Sequence, residues 1–408
     1  MEKNYISENI QYAGVADTNL DLFEGQYPVS EGVTYNSYVI LDEKIAVMDT
    51  VDNRATKQWL ANIEKILGGK SVDYLVVSHM EPDHAANIAH FIKLHPETVV
   101  VGNAKTFPMI NQFFDLNLQD RTLMVKEGDT LSLGQHTLQF FMAPMVHWPE
   151  VMVTYEQSEK ILFSADGFGT FGVDSGLEKE WTEEAARYYL NIVGKYGVQV
   201  QTLLKKASSL DIRIICPLHG PILKENLGYY LEKYQTWSSY EPEEHGVMIA
   251  CASIHGNTAA ACQELAKMLK DKGEAYIEVV DLARTDMSVA VRKAFYYDRI
   301  VVAAATYDGN VFPCMESFLE HLKSKNYQKR TVGIMENGTW APAAAKAMKG
   351  LLEGMKQVTI AEPIVTIRSV LKDDQRETMR QLADNLVMDK KKEKRTDTSL
   401  ANSNSISR

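Results

Sequence analysis

Four side chains able to bind a metal fall within six residues, in the stretch Asp73-Tyr74-Leu75-Val76-Val77-Ser78-His79-Met80-Glu81-Pro82-Asp83-His84. His79, Glu81, Asp83 and His84 put two imidazoles and two carboxylates on one turn, which is costly unless something positive binds them. A mononuclear zinc site needs about four ligands in all. A turn that supplies four by itself, with more to come from elsewhere, points to two metals. The oxygen-rich, anionic character of the set favours iron or manganese over a nitrogen-bound zinc pair. Any one of these residues alone reads as part of a solvated polar loop; the four in this order do not.

The turn needs elements to hold it. The run Tyr74 to Val77 is short, apolar and β-branched, and a breaker cluster follows, as for a buried strand. Asp83 and His84 precede Ala85-Ala86-Asn87-Ile88-Ala89, a good helix start. Three later stretches repeat the device of an apolar strand ending in one ligand-type side chain beside Gly or Pro. They are Phe141 to Pro149 with His147, Lys160 to Gly167 with Asp166, and Ile214 to Gly220 with His219.

The first turn resembles the H-x-H-x-D-H turn of the metallo-β-lactamase fold, with Glu81 where a second histidine is usual. That departure is the pattern of flavodiiron proteins, and the three later strand ends follow in the same order. The resemblance implies that His79, Glu81 and His147 hold one iron, that Asp83, His84 and His219 hold the other, and that Asp166 bridges them. Such a bridged pair sits roughly 3.5–4 Å apart.

A second constellation lies downstream. Val247 to Ala252 reads as a strand that ends in Ser253-Ile254-His255-Gly256-Asn257-Thr258, where a helix starts. Hydroxyls and backbone N–H groups at a helix N-terminus suit a phosphate. The segment resembles the flavodoxin phosphate loop, with His255 in place of a threonine. Two more loops follow strands: Thr306-Tyr307-Asp308-Gly309-Asn310 and Asn337-Gly338-Thr339-Trp340. Open α/β sheets bind ligands at the carboxyl ends of strands. By analogy with flavodoxin-like domains, both loops line an isoalloxazine ring, with Trp340 stacking on it. No second dinucleotide fingerprint is visible, so FMN is expected rather than FAD or NAD.

At 408 residues the chain is too long for one ordinary core. Its first part groups strands with helices outside them, an αββα pattern, with hairpin strands at Thr34 to Leu41 and Ile45 to Thr50 and one long helix from Thr182 to about Ser209. The polar stretch Ser238 to His245 carries a proline and marks a boundary. Beyond it strands and helices alternate strictly. The expected architecture is therefore a metallo-β-lactamase-like αββα sandwich over 1–245, a flavodoxin-like doubly wound parallel sheet over 246–386, and a disordered basic and polar tail over 387–408. The four scattered cysteines, with no C-x-x-C pair, fit a reducing cytoplasm and exclude a fused rubredoxin or iron–sulfur module. A formal charge of -11 argues against nucleic acid. No apolar run reaches membrane-spanning length, and no signal-peptide core follows Met1.

The flavodiiron resemblance implies an oxidoreductase in which FMN takes electrons from an external donor, such as rubredoxin, a reduced flavin system or another small redox carrier. The di-iron centre then reduces dioxygen to water or nitric oxide to nitrous oxide. It also implies a head-to-tail homodimer or a dimer of dimers. Two other readings stand beside it: a zinc hydrolase with an appended flavodoxin, and an electron carrier whose first domain is only a docking scaffold.

Overall fold

The computed structural model describes residues 5–118, 120–173 and 178–387. Apart from Val387, the tail expected over 387–408 lies outside the described residues. The chain divides into two compact units, Met1–Ser239 and Tyr240–Arg408.

In the first unit the strands form two sheets. One runs Ile10–Tyr12, Tyr38–Ile40, Ala46–Met48, Tyr74–Val76, Val99–Gly102 and Thr122–Met124 in spatial order. The other runs Thr130–Ser132, Thr137–Met142, Met152–Glu156, Ile161–Phe163 and Ile214–Cys216. Tyr38, Ile40, Met48, Val76 and Val101 from the first meet Leu138, Phe140, Met152, Ile161 and Phe163 from the second in one buried core. Helices cover the outside; in Thr56–Leu67, Trp59, Ile63 and Leu67 are buried and Gly68 ends the helix in the left-handed conformation. This is the expected αββα sandwich.

Sheet register decides where the ligand-type residues emerge. Strands Ile161–Phe163 and Ile214–Cys216 are parallel, with Phe163 opposite Cys216. Three residues beyond that pair on each strand stand Asp166 and His219, so they leave the sheet side by side. In the other sheet Met48 lies opposite Val76 in a parallel pair, which delivers Asp49 and the turn His79–His84 to the same edge of that sheet.

The second unit is a parallel sheet of Ile277–Asp281, Glu244–Ala252, Tyr297–Tyr307, Arg330–Asn337 and Val358–Ile367. In sequence order that is 2-1-3-4-5, the flavodoxin-like order. Val247, Ile249 and Cys251 alternate onto one face of the sheet. They pack with Cys262, Leu265 and Leu269 of helix Asn257–Asp271 and with Met379, Leu382 and Leu386 of helix 373–387.

Two expectations differ from the structure. Thr34 to Leu41 is two short strands, Val33–Tyr35 and Tyr38–Ile40, because Asn36 and Ser37 turn aside to make other bonds. Asn36 donates through Nδ2 to the carbonyls of Pro217 and Gly220, both at 2.9 Å, and its own N–H reaches Leu218 O at 2.8 Å. Ser37 Oγ donates to Asp49 O and accepts from Trp59 Nε1. The long helix is likewise broken: Glu178–Tyr188 passes into a π turn at Tyr189–Val193, a 3-10 turn at Gly194–Tyr196 and a new helix at Gly197–Ala207. Asn191 Nδ2 takes the carbonyl of Arg187 at 2.8 Å, a side-chain competitor to the helical ladder. Gly194 and Gly197 follow where helix preference is weakest.

Asn36 ties three backbone groups of the His219 loop to the first sheet, and it is fully buried. Replacing it with leucine, of similar size, removes the side-chain donor to Pro217 and Gly220. Asn36→Leu is expected to lower the stability of the first unit by about 2–3 kcal/mol, read by urea unfolding, with faster amide exchange at 217–220. Exchange there at the wild-type rate contradicts the tie.

Candidate metal centre and cofactor loops

Seven side chains that the sequence singled out converge in the first unit. His79, Glu81, His147 and Asp166 form one group and Asp83, His84 and His219 another, each with donor atoms within 4.8 Å of one another. His79 Nε2 lies 3.2 Å from Glu81 Oε2 and 3.2 Å from Asp166 Oδ2. His147 Nε2 faces the same two oxygens at 3.0 and 3.5 Å. In the second group His219 Nε2 is 3.1 Å from Asp83 Oδ2 and 3.1 Å from His84 Nε2. Asp166 turns its other oxygen, Oδ1, to His219 Nε2 at 3.8 Å. One carboxylate thus presents one oxygen to each group.

The chemistry of this donor set fits cations. Asp83 Oδ1, His84 Nδ1 and Asp166 Oδ2 are buried and make no hydrogen bond, which is uncommon for buried polar atoms. His84 and His219 point ring nitrogens at each other, and a hydrogen bond between them needs a proton on one and not the other. The titration tendencies conflict in the same way. Burial drives Asp83 up, and Glu81 and Asp166 add to this against the pull of His219. Burial, with His219 and His79 nearby, drives His84 well below its ordinary value. Burial alone lowers His79, but Asp166, Glu150 and Glu81 outweigh it and hold it well above. A cation beside each group would relieve the opposition between the His84 and His219 nitrogens and give the buried carboxylates a positive partner.

Supporting groups aim the ligand-type residues, and sequence reasoning missed them. Glu150 Oε1 accepts from His79 Nδ1 at 2.9 Å and from Met80 N at 2.8 Å. This fixes the tautomer that turns His79 Nε2 inward. Thr34 O does the same for His219 through Nδ1 at 2.7 Å. Asp49 Oδ1 accepts from Ser78 N at 2.7 Å, and burial pushes its carboxyl up to about 7. Thr50 holds the His84 carbonyl with both N–H and hydroxyl. The signals were an extra acid three residues after His147, and Asp49-Thr50 closing a strand. Strain gathers here too: Asp49, Met145, Ala165 and Phe168 all have positive φ. At Gly220 (φ +82) an added Cβ would collide with Thr170 Cγ2, so the residue after His219 has room only for glycine. Phe23, Tyr35 and Tyr188 surround the His219 ring at centroid distances of 5.3, 6.2 and 5.6 Å, and Trp148 meets His79 edge-on at 5.2 Å.

The second unit places the other named residues at the carboxyl ends of its strands. Ser253 Oγ accepts from Gly256 N and Ala259 N, both at 3.2 Å, which shapes the loop into helix Asn257–Asp271. His255, Gly256 and Asn257 are exposed and Thr258 is buried. Asp308 and Gly309, both with positive φ, make a two-residue hairpin between Tyr307 and Asn310. Tyr307 packs edge-on against Phe312 at 5.6 Å, and Asn310 bonds Glu316. Thr306 and Asn337 spend their polar atoms on the fold: Thr306 Oγ1 accepts from Ala343 N and Ala344 N, while Asn337 pairs with the Ser369 backbone in both directions. Gly338 N bonds Ile367 O, Thr339 meets Ser369 Oγ, and Trp340 stands 89% exposed, available to a flat ring.

The Glu150–His79 bond yields a direct expectation. Glu150→Gln keeps the shape and removes the charge, and should lower metal affinity about 10- to 100-fold with the fold retained, measured by competition with a chelator. Unchanged affinity contradicts this role for Glu150.

Residues 33–220 match the family described as ODP family beta lactamase, and residues 248–370 match a flavodoxin domain. A nitric oxide reductase of Moorella thermoacetica is 28% identical over 381 residues, spanning 90% of this chain and 93% of that one. Among solved structures, the rubredoxin oxygen:oxidoreductase of Desulfovibrio gigas superposes with a TM-score of 0.89 at 24% identity, covering 94% of this chain and 97% of that one. The flavodiiron protein of Giardia intestinalis gives 0.87 at 22% identity, covering 93% and 95%. The chain thus carries an ODP family beta lactamase domain followed by a flavodoxin domain, and along nearly its whole length it is similar to proteins of the flavodiiron type.

Proposed function

We propose that this chain is an oxidoreductase that reduces dioxygen to water, nitric oxide to nitrous oxide, or both, with electrons relayed by FMN from an external donor. The observation that carries the reading is Asp166 between two groups of imidazoles and carboxylates, one oxygen toward each. Two ferrous ions, if held by His79, Glu81, His147, Asp83, His84, His219 and Asp166, would supply paired electrons and open positions for a diatomic gas, and the loops at 253–258, 306–310 and 337–340 would hold the FMN that supplies electrons.

The chain's own residues prepare that chemistry. Glu150 and Thr34 O bond the outer nitrogens of His79 and His219, so the inner ones are the ones turned toward the carboxylates of the centre. The rings of Phe23, Tyr35 and Tyr188 keep bulk water from the second group. Burial, then Asp166, Asp83 and Glu81, raise the Tyr188 hydroxyl well above its ordinary value, so it keeps its proton beside the site. A zinc hydrolase is disfavoured by Glu81, which makes the set oxygen-rich, and by relatives whose names are those of reductases. The external donor in this reading is a small redox carrier; the Desulfovibrio neighbour is titled a rubredoxin oxygen:oxidoreductase. Among the described residues no helix is long and apolar enough to cross a membrane, and four free cysteines support a reducing, cytoplasmic setting.

The reading extends to assembly. The family resemblance supports a head-to-tail homodimer, or a dimer of such dimers, in which each FMN serves the metal pair of the other chain. The test mixes an Asp166→Ala chain with a chain changed at Ser253 and Thr258, each inactive alone. Asp166→Ala by itself should retain FMN and lose gas reduction. Random pairing makes half the dimers mixed, each with one working pair of two, so activity should return to roughly a quarter of wild type. Zero activity with mixed dimers confirmed by mass rules out transfer between chains, and full activity in Asp166→Ala rules out its bridging role.

A further inference from the structure

Behind the turn that carries Asp166, the first unit holds a partly closed apolar cavity of about 30 Å³. Strands supply Phe141 and Leu162, helices Gly197–Ala207 and Leu227–Ser238 supply Leu204, Leu231 and Tyr234, and the ligand turns supply Val146 and Phe168. The polar heads along its wall are all engaged elsewhere. Ser164 Oγ donates to Gly167 O at 2.6 Å. Lys206 Nζ reaches Glu127 Oε2 and Met142 O, both at 2.9 Å. Tyr234 OH accepts from Phe168 N at 2.6 Å. What remains facing the space is carbon. A water there would lack the two to four polar partners that hold buried water, while apolar cavities stay dry and take up xenon or small hydrocarbons.

We propose that this cavity is a binding site for an uncharged diatomic gas, through which dioxygen or nitric oxide reaches the metal centre. On the same measure a cavity needs roughly 10–15 Å³ to hold a single water, so about 30 Å³ admits a molecule of diatomic size. Its inner wall is one turn thick: Val146 precedes His147, and Ser164 to Phe168 bracket Asp166. Its outer side adjoins a groove of about 420 Å³ that shares Leu204, Ala207, Leu210 and Leu231 with it. That groove reaches solvent at Ser208, Glu232 and Gln235, all exposed. The two spaces meet at a gate of leucines between the two helices, passable to a gas and unfavourable to ions and water. The route rests on the gas-reducing reading of the centre; the cavity's affinity for gas does not.

The experiment pairs xenon binding with kinetics on the full chain carrying its metals and FMN. Crystals under xenon should show an atom between Val146, Phe168, Leu204 and Tyr234. Leu204→Phe and Leu231→Phe fill the space and should abolish that site. They should raise KM for dioxygen or nitric oxide by at least about threefold, with iron content and the rate at saturating gas kept. Leu204→Met, of similar volume, controls for repacking and should keep both xenon and KM. Failure to find xenon in the cavity overturns the proposal. So does loss of xenon in the phenylalanine variants with KM unchanged. If xenon binds and wild-type protein with two iron ions reduces neither gas, the reading of the centre fails and the cavity remains a gas site.

Discussion

The structure is governed by the cost of gathering carboxylates and imidazoles away from water. Glu81, Asp83 and Asp166 meet His79, His84, His147 and His219 where little solvent enters, and Asp49 and Glu150 lie directly behind them. Removing so many negative groups from water costs several kcal/mol each unless opposite charge and hydrogen bonds compensate. Protons shared among these side chains cannot meet every demand, because His84 and His219 oppose each other and Asp166 leaves one oxygen unbonded. Positive charge beside them would ease that conflict, and the surrounding fold is the apparatus that holds these side chains still.

That apparatus is made of strand ends. Parallel register sets Asp166 and His219 abreast, and the first sheet delivers Asp49 and the His79–His84 turn to its own edge. Buried side chains then lock the loops: Asn36 reaches Pro217 and Gly220, Thr50 reaches His84, and Glu150 reaches His79. Left-handed backbone at Ala165 and Phe168, on either side of Asp166, is tolerated because these contacts over-determine the turn. The flavodoxin-like unit uses the same principle with neutral groups. Thr306 and Asn337 fasten one loop to another, while Tyr307 and Trp340 stand exposed.

The ligand-type residues were legible in the sequence because their chemistry is local. His79, Glu81, Asp83 and His84 share one turn, and each later residue follows a recognisable strand. Their partners were hidden because the contacts are long-range: Glu150 lies 71 residues from His79 and Asn36 lies 181 from Pro217, and neither spacing leaves a local pattern. Two local readings also went astray for physical reasons. Polar Asn36 and Ser37 sat inside a run of strand-forming residues, and only their distant partners show that the strand must break there. Asn191 sat inside a helical pattern, and its bond to the Arg187 carbonyl opens the π turn. Thr306 and Asn337 were expected to line a cofactor, yet their side chains bond neighbouring backbone instead.

The proposed chemistry requires these seven side chains to hold two iron ions in a chain that also carries one flavin. The most direct measurement is metal and flavin content per chain on protein made in iron-replete cells, with a Mössbauer spectrum of the same sample. Two iron ions and one FMN per chain are expected, with the two ions magnetically coupled through a shared ligand. A colourless protein carrying zinc, or two iron ions without coupling, would contradict the proposed chemistry.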